Sequence, residues 1–190
     1  IEALGIERFG IKKTPEGFIE IDATMQTSIP SIYAIGDVTG GPLLAMHAIK
    51  QGKAVVEAIA EGKPEVDLTL LPTVVHTHTP SVSVGLSEQA AREIGFDLRV
   101  SHFSLRGNGY TAITNKLDGF IKVLSNSTTD IILGIHMIGS HVTELISEAG
   151  LAMVLDATPW EVASTIHAHP SLSEVMGEAA LAVEGKAIHM

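Results

Sequence analysis

The first part of the chain alternates short apolar runs with turn-forming residues. Residues 18–22 alternate apolar and acidic side chains, and this period of two predicts a half-buried strand. Residues 31–35 form a short apolar run that stops at a glycine, as a buried parallel strand does. Residues 44–61 repeat apolar side chains with helical spacing, and Gly62 follows as a C-terminal cap. The pattern therefore predicts two strands followed by a helix.

A linker bracketed by glycine and proline separates this part from a second pattern. Gly62, Pro64 and Pro72 bracket the linker, and a new domain is predicted to start near residue 67. Strands are predicted at residues 82–84, 99–105, 119–124 and 131–138, and helices at residues 87–94, 142–155, 160–166 and 172–184. Strands precede most of the helices, and several can pair antiparallel, which predicts an α+β fold.

The composition indicates a protein with a sizeable core. The chain has 190 residues, of which 45% are hydrophobic and 18% charged, and its mean hydropathy is +0.30. These values predict either a core rich in Val, Ile and Ala or an apolar face for a partner. No apolar run reaches the roughly 20 residues of a membrane span, and the first residues do not resemble a signal peptide. We therefore expect a cytoplasmic protein that does not bind membranes.

The charge and the missing cysteines exclude several kinds of function. The formal net charge is -10, from 22 acidic and 12 basic residues. Because phosphate groups need positive partners, nucleic acid is a poor ligand for this chain. The chain has no cysteine, which excludes a disulfide, a thiolate metal site and a cysteine nucleophile within it. Its nine histidines are the most versatile reactive groups that remain.

A first candidate site lies at Asp37, directly after the apolar run of residues 31–35. In open α/β sheets, ligands bind at the carboxyl ends of the strands. An ionised aspartate accepts hydrogen bonds from hydroxyl groups, such as those of a ribose or ribityl chain, and a helix after Pro42 would direct its positive end to the same space. Spacing alone favours the plainer interpretation, which is a turn or capping aspartate.

A second candidate site is the segment from His167 to Glu174, with the sequence HAHPSLSE. Ser171 and Glu174 have the spacing of a capping box, in which the Ser171 hydroxyl bonds the Glu174 amide and the carboxylate reaches back. Alternatively, Glu174 holds the His169 imidazole in one tautomer and supports its cationic form, as an orienting acid does for a general base. From the residues alone, the structural cap is the favoured interpretation.

Two other patterns are less informative about chemistry. Histidines alternate at His76 and His78, and again at His167 and His169; on a strand such pairs would point the same way, as a metal site could use. No His-Glu-x-x-His motif or acidic cluster accompanies them, so no metal site is predicted. Residues 142–153 form an Ala-, Gly- and Met-rich apolar helix, which indicates burial either in the core or across a subunit boundary.

Five segments of the sequence occur in the order seen in one protein family. The segments are Ile32–Val38, Gly41–Ala45, Ile132–Gly139, Glu144–Ile146 and His167–Glu174. Together they resemble the pyridine nucleotide-disulfide oxidoreductases, and the resemblance covers the whole chain. Within that family, the HAHPSLSE segment is most similar to the dihydrolipoamide dehydrogenase group.

The resemblance implies a homodimeric flavoenzyme that oxidises protein-bound dihydrolipoamide with NAD⁺, through an active-site disulfide and FAD. Its partners would be the lipoyl domains of a 2-oxo acid dehydrogenase or a related complex. By the same resemblance, His169 is the acid-base residue that reaches the partner subunit's disulfide, and Glu174 orients it. The residues expected to contact the flavin are Asp37 at the ribityl chain and the helix start formed by Leu43, Leu44, Ala45 and Met46.

The resemblance also implies that the chain is part of a larger enzyme. Residues 1–66 would be the end of the FAD-binding domain and residues 67–190 the dimerisation domain, and this piece would not be active alone because it lacks the redox cysteines. Ser81 stands where the family usually has Glu, and Met46 where many members have histidine. These departures leave open a paralogous disulfide reductase. The rival hypotheses are a stand-alone interaction module that has lost the enzyme and a metal-dependent hydrolase that uses the histidine pairs.

Overall fold

The computed structural model describes residues 5–62 and 69–189. It divides the chain into two compact units, Ile1–Leu71 and Pro72–Met190. The first unit carries the Asp37 segment, and the second carries the His169 segment. Within the described residues, no helix is both long enough and apolar enough to cross a membrane.

The first unit is built around a small apolar cluster and one long helix. The buried members of the cluster are Ile6, Ile11, Ile19 and Ala34. Two isolated bridges, Lys13 with Ile19 and Gln26 with Tyr33, hold the extended segments together. A 3-10 turn at Gly36–Thr39 follows, and then helix α1 at Ala45–Glu61. The helix predicted over residues 44–61 is confirmed, and Gly62 caps it in the left-handed conformation with a φ of 79°.

The two strands predicted in the first unit are wrong as strands. Residues 18–22 and 31–35 each contribute only one residue to an isolated bridge, and Ile35 is 42% exposed. A buried parallel strand needs a neighbouring strand beside it and cover on both faces. The described residues of this unit provide no such neighbour, so the apolar run stays extended without forming a ladder.

The second unit contains a five-stranded antiparallel sheet. The strands are β1 (Thr73–Val75), β2 (Ser81–Gly85), β3 (Leu98–Ser104), β4 (Gly119–Asn126) and β5 (Ile132–Gly139), in the spatial order β1-β2-β5-β4-β3. At the centre of the sheet, Ile135 pairs with Val84 on one side and Val123 on the other. All three side chains are buried, which is expected where apolar side chains alternate toward the core. The predicted α+β fold is confirmed.

Helices of the second unit cover the sheet. They are α2 (Glu88–Ile94), α3 (Gly109–Thr114), α4 (Val142–Val154), α5 (Pro159–Ser164) and α6 (Glu174–Val183). Helix α4 packs on β2 and β5, α6 packs on β3 and β4, and α5 packs on α6. The four helices predicted for this part are confirmed with ends shifted by one or two residues, the usual uncertainty of helix ends. Helix α3 was not predicted.

The two sides of helix α4, both of which carry apolar residues, have different surroundings in the structure. One side is buried and includes Leu145, Ile146 and Ala149. The opposite side leaves Leu151 59% exposed and Val154 64% exposed. The core interpretation is therefore confirmed for one face of the helix, while the other face remains uncovered within this chain.

Candidate functional site

The structure brings His169 and Glu174 into contact. His169 lies in the loop that precedes α6, and Glu174 is the first residue of that helix. The Nδ1 atom of His169 and the Oε1 atom of Glu174 are 2.8 Å apart. The imidazole is 79% exposed, whereas the Glu174 side chain is 27% exposed. The pair thus presents an accessible imidazole that is held from one side.

Each oxygen of Glu174 makes one of the two contacts that the sequence suggested. Its Oε2 atom accepts a hydrogen bond from the Ser171 backbone N–H at 2.9 Å, which is half of the predicted capping box. The other half is wrong, because the Ser171 hydroxyl pairs with the Ser173 hydroxyl at 2.8 Å. The reason is that α6 begins at Glu174, so Ser173 rather than Ser171 takes the capping position.

The charge of Glu174 determines how the imidazole is protonated. The Ser171 N–H and then the His169 imidazole lower the pKa of Glu174 below its ordinary value. An ionised carboxylate only accepts hydrogen bonds, so the proton of a neutral His169 lies on Nδ1. Nε2 is then the free nitrogen, and it can accept a proton from an external group while Glu174 stabilises the resulting cation.

Two further contacts hold the loop that carries His169. The Nε2 atom of His167 lies 2.8 Å from Oε1 of Glu148, which is on α4. The buried Asn108 donates from Nδ2 to the Ser171 carbonyl at 3.0 Å. Sequence reasoning missed both Glu148 and Asn108. Glu148 had a weak signal, since it is an acidic residue within an Ala- and Gly-rich apolar helix, whereas nothing in the sequence links Asn108 to the loop.

The alternating histidines do not act as pairs. His167 and His169 bond different glutamates on different helices, because residues 165–173 form a loop rather than a strand. His76 and His78 are both exposed in the segment between β1 and β2. Among the described residues, no group of three His, Cys, Asp or Glu side chains could hold a metal ion.

Asp37 lies in the 3-10 turn of the first unit, with its side chain exposed. Within the described part of the chain, no side chain or backbone group bonds its carboxylate. The turn itself is held by Gln51 of α1, whose Oε1 accepts the Gly36 N–H at 2.7 Å. The Thr39 hydroxyl also donates to the Gly36 carbonyl at 2.8 Å. Gln51 is buried, and sequence reasoning missed it.

No side chain caps the first amides of α1. Leu43 has a φ of 50° and is 53% exposed. Leu44 occupies the N-cap position, and no side chain caps the helix there. Ala45 and Met46 are the first two residues of the helix. Uncapped amides at a helix start carry partial positive charge, which favours a carbonyl or another electron-rich group.

Comparison with protein families matches most of the chain to two related domains. The family of the pyridine nucleotide-disulphide oxidoreductase dimerisation domain matches residues 71–180. The pyridine nucleotide-disulphide oxidoreductase family matches residues 1–52. The first match covers the whole sheet and most of α6.

Curated relatives with high similarity are dihydrolipoyl dehydrogenases. The protein from Bacillus subtilis (strain 168) is 48% identical over 190 residues, which is 100% of this chain and 40% of the relative. The mitochondrial protein from Sus scrofa is 41% identical over 187 residues, which is 98% of this chain and 37% of the relative. The chain therefore spans about 40% of the length of the relatives it matches.

Two solved structures are also similar to this chain over 92% or more of its length. LpdA from Mycobacterium tuberculosis is similar with a TM-score of 0.85 and 29% identity, over 93% of this chain and 39% of that protein. The HOCl-induced flavoprotein disulfide reductase RclA from Escherichia coli is similar with a TM-score of 0.86 and 26% identity, over 92% of this chain and 41% of that protein.

Proposed function

Because the chain belongs to the pyridine nucleotide-disulphide oxidoreductase family, we propose that it is the C-terminal part of a flavin-dependent enzyme that oxidises dihydrolipoamide with NAD⁺. Relatives that share 40% or more of its residues are named dihydrolipoyl dehydrogenases. The chain has no cysteine, so the redox disulfide belongs to another part of the enzyme, and this part supplies a base and a dimer surface.

The observation that carries the proposal is the exposed His169 imidazole bonded to Glu174. Oxidation of a dithiol to a disulfide releases two electrons and two protons. A thiol has a pKa of about 8.5 and reacts as its thiolate, so a base near neutral pH has to take its proton. Nε2 of His169 is free to accept that proton, and the Glu174 carboxylate then stabilises the imidazolium next to the thiolate.

The first unit fits the flavin cofactor that this chemistry requires. The Asp37 carboxylate is exposed and accepts hydrogen bonds only, which suits the hydroxyls of a ribityl chain. The uncapped start of α1, formed by Leu43, Leu44, Ala45 and Met46, suits the carbonyl groups of a flavin ring. When bound, FAD supplies the two-electron chemistry that links the disulfide to NAD⁺.

The second unit is proposed to form the homodimer, in which His169 reaches the partner subunit's disulfide. Its sequence matches a dimerisation domain, and large apolar side chains on α4, α5 and the loop beyond them are exposed. They are Leu151, Val154, Leu155, Trp160 and Ile166. Lipoyl domains of a 2-oxo acid dehydrogenase or a related complex are the proposed substrate carriers.

The test is NAD⁺-dependent oxidation of dihydrolipoamide by the complete gene product, compared with its His169→Gln variant. We expect the variant to keep its flavin and to lose about 10²- to 10⁴-fold in turnover, the usual contribution of a general base. His102→Gln, which changes an exposed histidine on β3, serves as the control. Unchanged turnover in His169→Gln would refute the role of His169. Activity toward another disulfide only would favour the paralogous reductase, and neither activity nor flavin would favour the interaction module.

A further inference from the structure

The loop that carries His169 contains a second histidine with a glutamate of its own. His167 is only 9% exposed, and its Nε2 atom lies 2.8 Å from Oε1 of Glu148. His169, two residues later, is 79% exposed and bonds Glu174. The two histidines therefore differ in environment: one is packed inside the unit, and the other points outward.

The buried imidazole connects the loop to two helices. Glu148 belongs to α4, while the ring of His167 lies against the backbone of α6 at Gly177. A Cβ atom at Gly177 would be 3.4 Å from Nδ1 of His167. Gly177 is three residues, about one helical turn, beyond Glu174. The ring thus lies between α4 and the first turns of the helix that holds Glu174.

The exposed imidazole has little packing of its own to hold it. Its position depends on the Glu174 bond and on the backbone between His167 and Ser171. That backbone is tied at its far end by the Ser171 N–H to Glu174 and by the Ser171 carbonyl to Asn108. At its near end, the tie is the His167 side chain, which bonds Glu148. Loss of that bond would leave a buried ring nitrogen without its acceptor, which favours movement of the loop.

We propose that Glu148 and His167 form a positioning pair for the base His169. The pair fixes the near end of the loop, so that Nδ1 of His169 stays on Glu174 and Nε2 faces the substrate thiol. This inference deepens the proposed function and rests on it. It assigns to Glu148 and His167 no contact with substrate or cofactor.

The first experiment follows the Glu174 carboxylate by NMR titration in the 190-residue chain. Removing the negative charge of Glu148 by direct electrostatics alone would lower the pKa of a neighbouring carboxyl group. Loosening of the loop would instead raise the pKa of Glu174, because Glu174 then loses hydrogen bonds from Ser171 and His169. We expect Glu148→Ala to raise the pKa of Glu174 toward its ordinary value of 4.5. A pKa that falls or stays constant would overturn the proposal.

Matched variants separate positioning from general damage. Glu144→Ala removes an exposed carboxylate one turn earlier on α4 and is expected to leave the titration of Glu174 unchanged. Glu148→Gln keeps an acceptor for His167, so it should raise the pKa of Glu174 less than Glu148→Ala does. His167→Gln keeps an N–H donor near the position of Nε2, so the pKa of Glu174 should stay close to that of the unchanged chain. His167→Asn lacks a donor at that position, so the pKa of Glu174 should rise. Equal effects of Glu144→Ala and Glu148→Ala would contradict a specific pair, and if Glu148→Ala fails to fold, the two His167 variants decide.

Turnover of the complete enzyme provides the second readout. We expect Glu148→Ala to lower kcat for dihydrolipoamide about 10- to 100-fold, as small misplacements of a reacting group do, with KM unchanged because substrate contacts remain. A rise in KM at constant kcat would contradict a positioning role. The two proposals fail separately. Unchanged turnover in His169→Gln refutes the role of His169 in the proposed function, whereas the Glu174 titration still shows whether Glu148 positions the loop.

Discussion

At the scale of single residues, Glu174 makes two different contacts because a carboxylate has two oxygens. Oε2 bonds the Ser171 amide, and Oε1 bonds His169. The sequence placed the structural and the catalytic interpretation in competition, and the geometry shows that they are compatible. The pair of His169 and Glu174 was predictable because five residues separate them, and a single loop and helix start bring them together.

Replacing Glu174 by glutamine tests the contact between its Oε1 atom and His169. An amide can still accept the Ser171 N–H, but its NH₂ group would then face Nδ1 of His169 and oppose the tautomer that leaves Nε2 free. We expect the Glu174→Gln enzyme to fold and to lose about 10²-fold in kcat/KM for dihydrolipoamide. The control is Glu184→Gln, at an exposed carboxylate just after α6. Turnover equal to that of the control would argue against the orienting role.

Acid stability depends on another carboxylate, Glu88. Its hydrogen bonds with Lys122 and then Arg92 lower its pKa to about 2. A carboxyl group with a lowered folded pKa stabilises the fold above its unfolded pKa of about 4.5 and loses that contribution as the pH falls toward 2. The urea concentration at the unfolding midpoint should therefore decrease as the pH is lowered from 4.5 to 2. The decrease should be less steep in Glu88→Gln. An identical slope for both proteins would contradict this.

At the scale of elements, the hydrophobic pattern predicted strands correctly where a partner strand of the same unit pairs with them. The strands of residues 82–84 and 131–138 were recognisable, and the structure pairs them as β2 and β5. The apolar run of residues 31–35 has the same local character, yet it forms only a bridge. Strand formation needs hydrogen bonds to another strand, so local pattern alone does not decide it.

The start of α3 illustrates an element that tertiary contacts support. Oδ1 of Asn108 accepts the Thr111 N–H at 3.0 Å, while its Nδ2 donates to Ser171. Asn108→Ala should lower the free energy of unfolding by about 2 to 3 kcal/mol, since it removes a cap and leaves a carbonyl without its donor. Ser87→Ala removes only the cap of α2 and should cost about 1 kcal/mol. Urea denaturation of both variants measures the difference, and equal losses would show that the Ser171 bond contributes nothing.

At the scale of the whole molecule, the apolar surface of the second unit indicates association. Ile166 is 97% exposed and directly precedes His167, in the loop proposed to reach the partner subunit. Large apolar side chains left in water are unfavourable by about 25 cal/mol for each Å². A dimerisation domain that matches residues 71–180 agrees with burial of this surface by a second copy.

We therefore expect the 190-residue chain to be a dimer in light scattering. Ile166→Lys would place a charge in the proposed interface and should raise the dissociation constant by more than about tenfold. Thr128→Lys, at an exposed turn between β4 and β5, is the matched control and should leave association unchanged. A chain that is monomeric at all concentrations would show that this surface is not sufficient for association.

The sequence by itself determined the α+β pattern of the second unit and indicated the proximity of His169 and Glu174. These features depend on periodicity or on residues a few positions apart. Only the tertiary structure revealed Gln51 under the Asp37 turn, Glu148 on His167 and Asn108 on Ser171. Those partners lie 15, 19 and 63 residues apart. Contacts of this kind arise when separate elements pack together, and packing depends on shape and distance in space rather than on spacing along the chain.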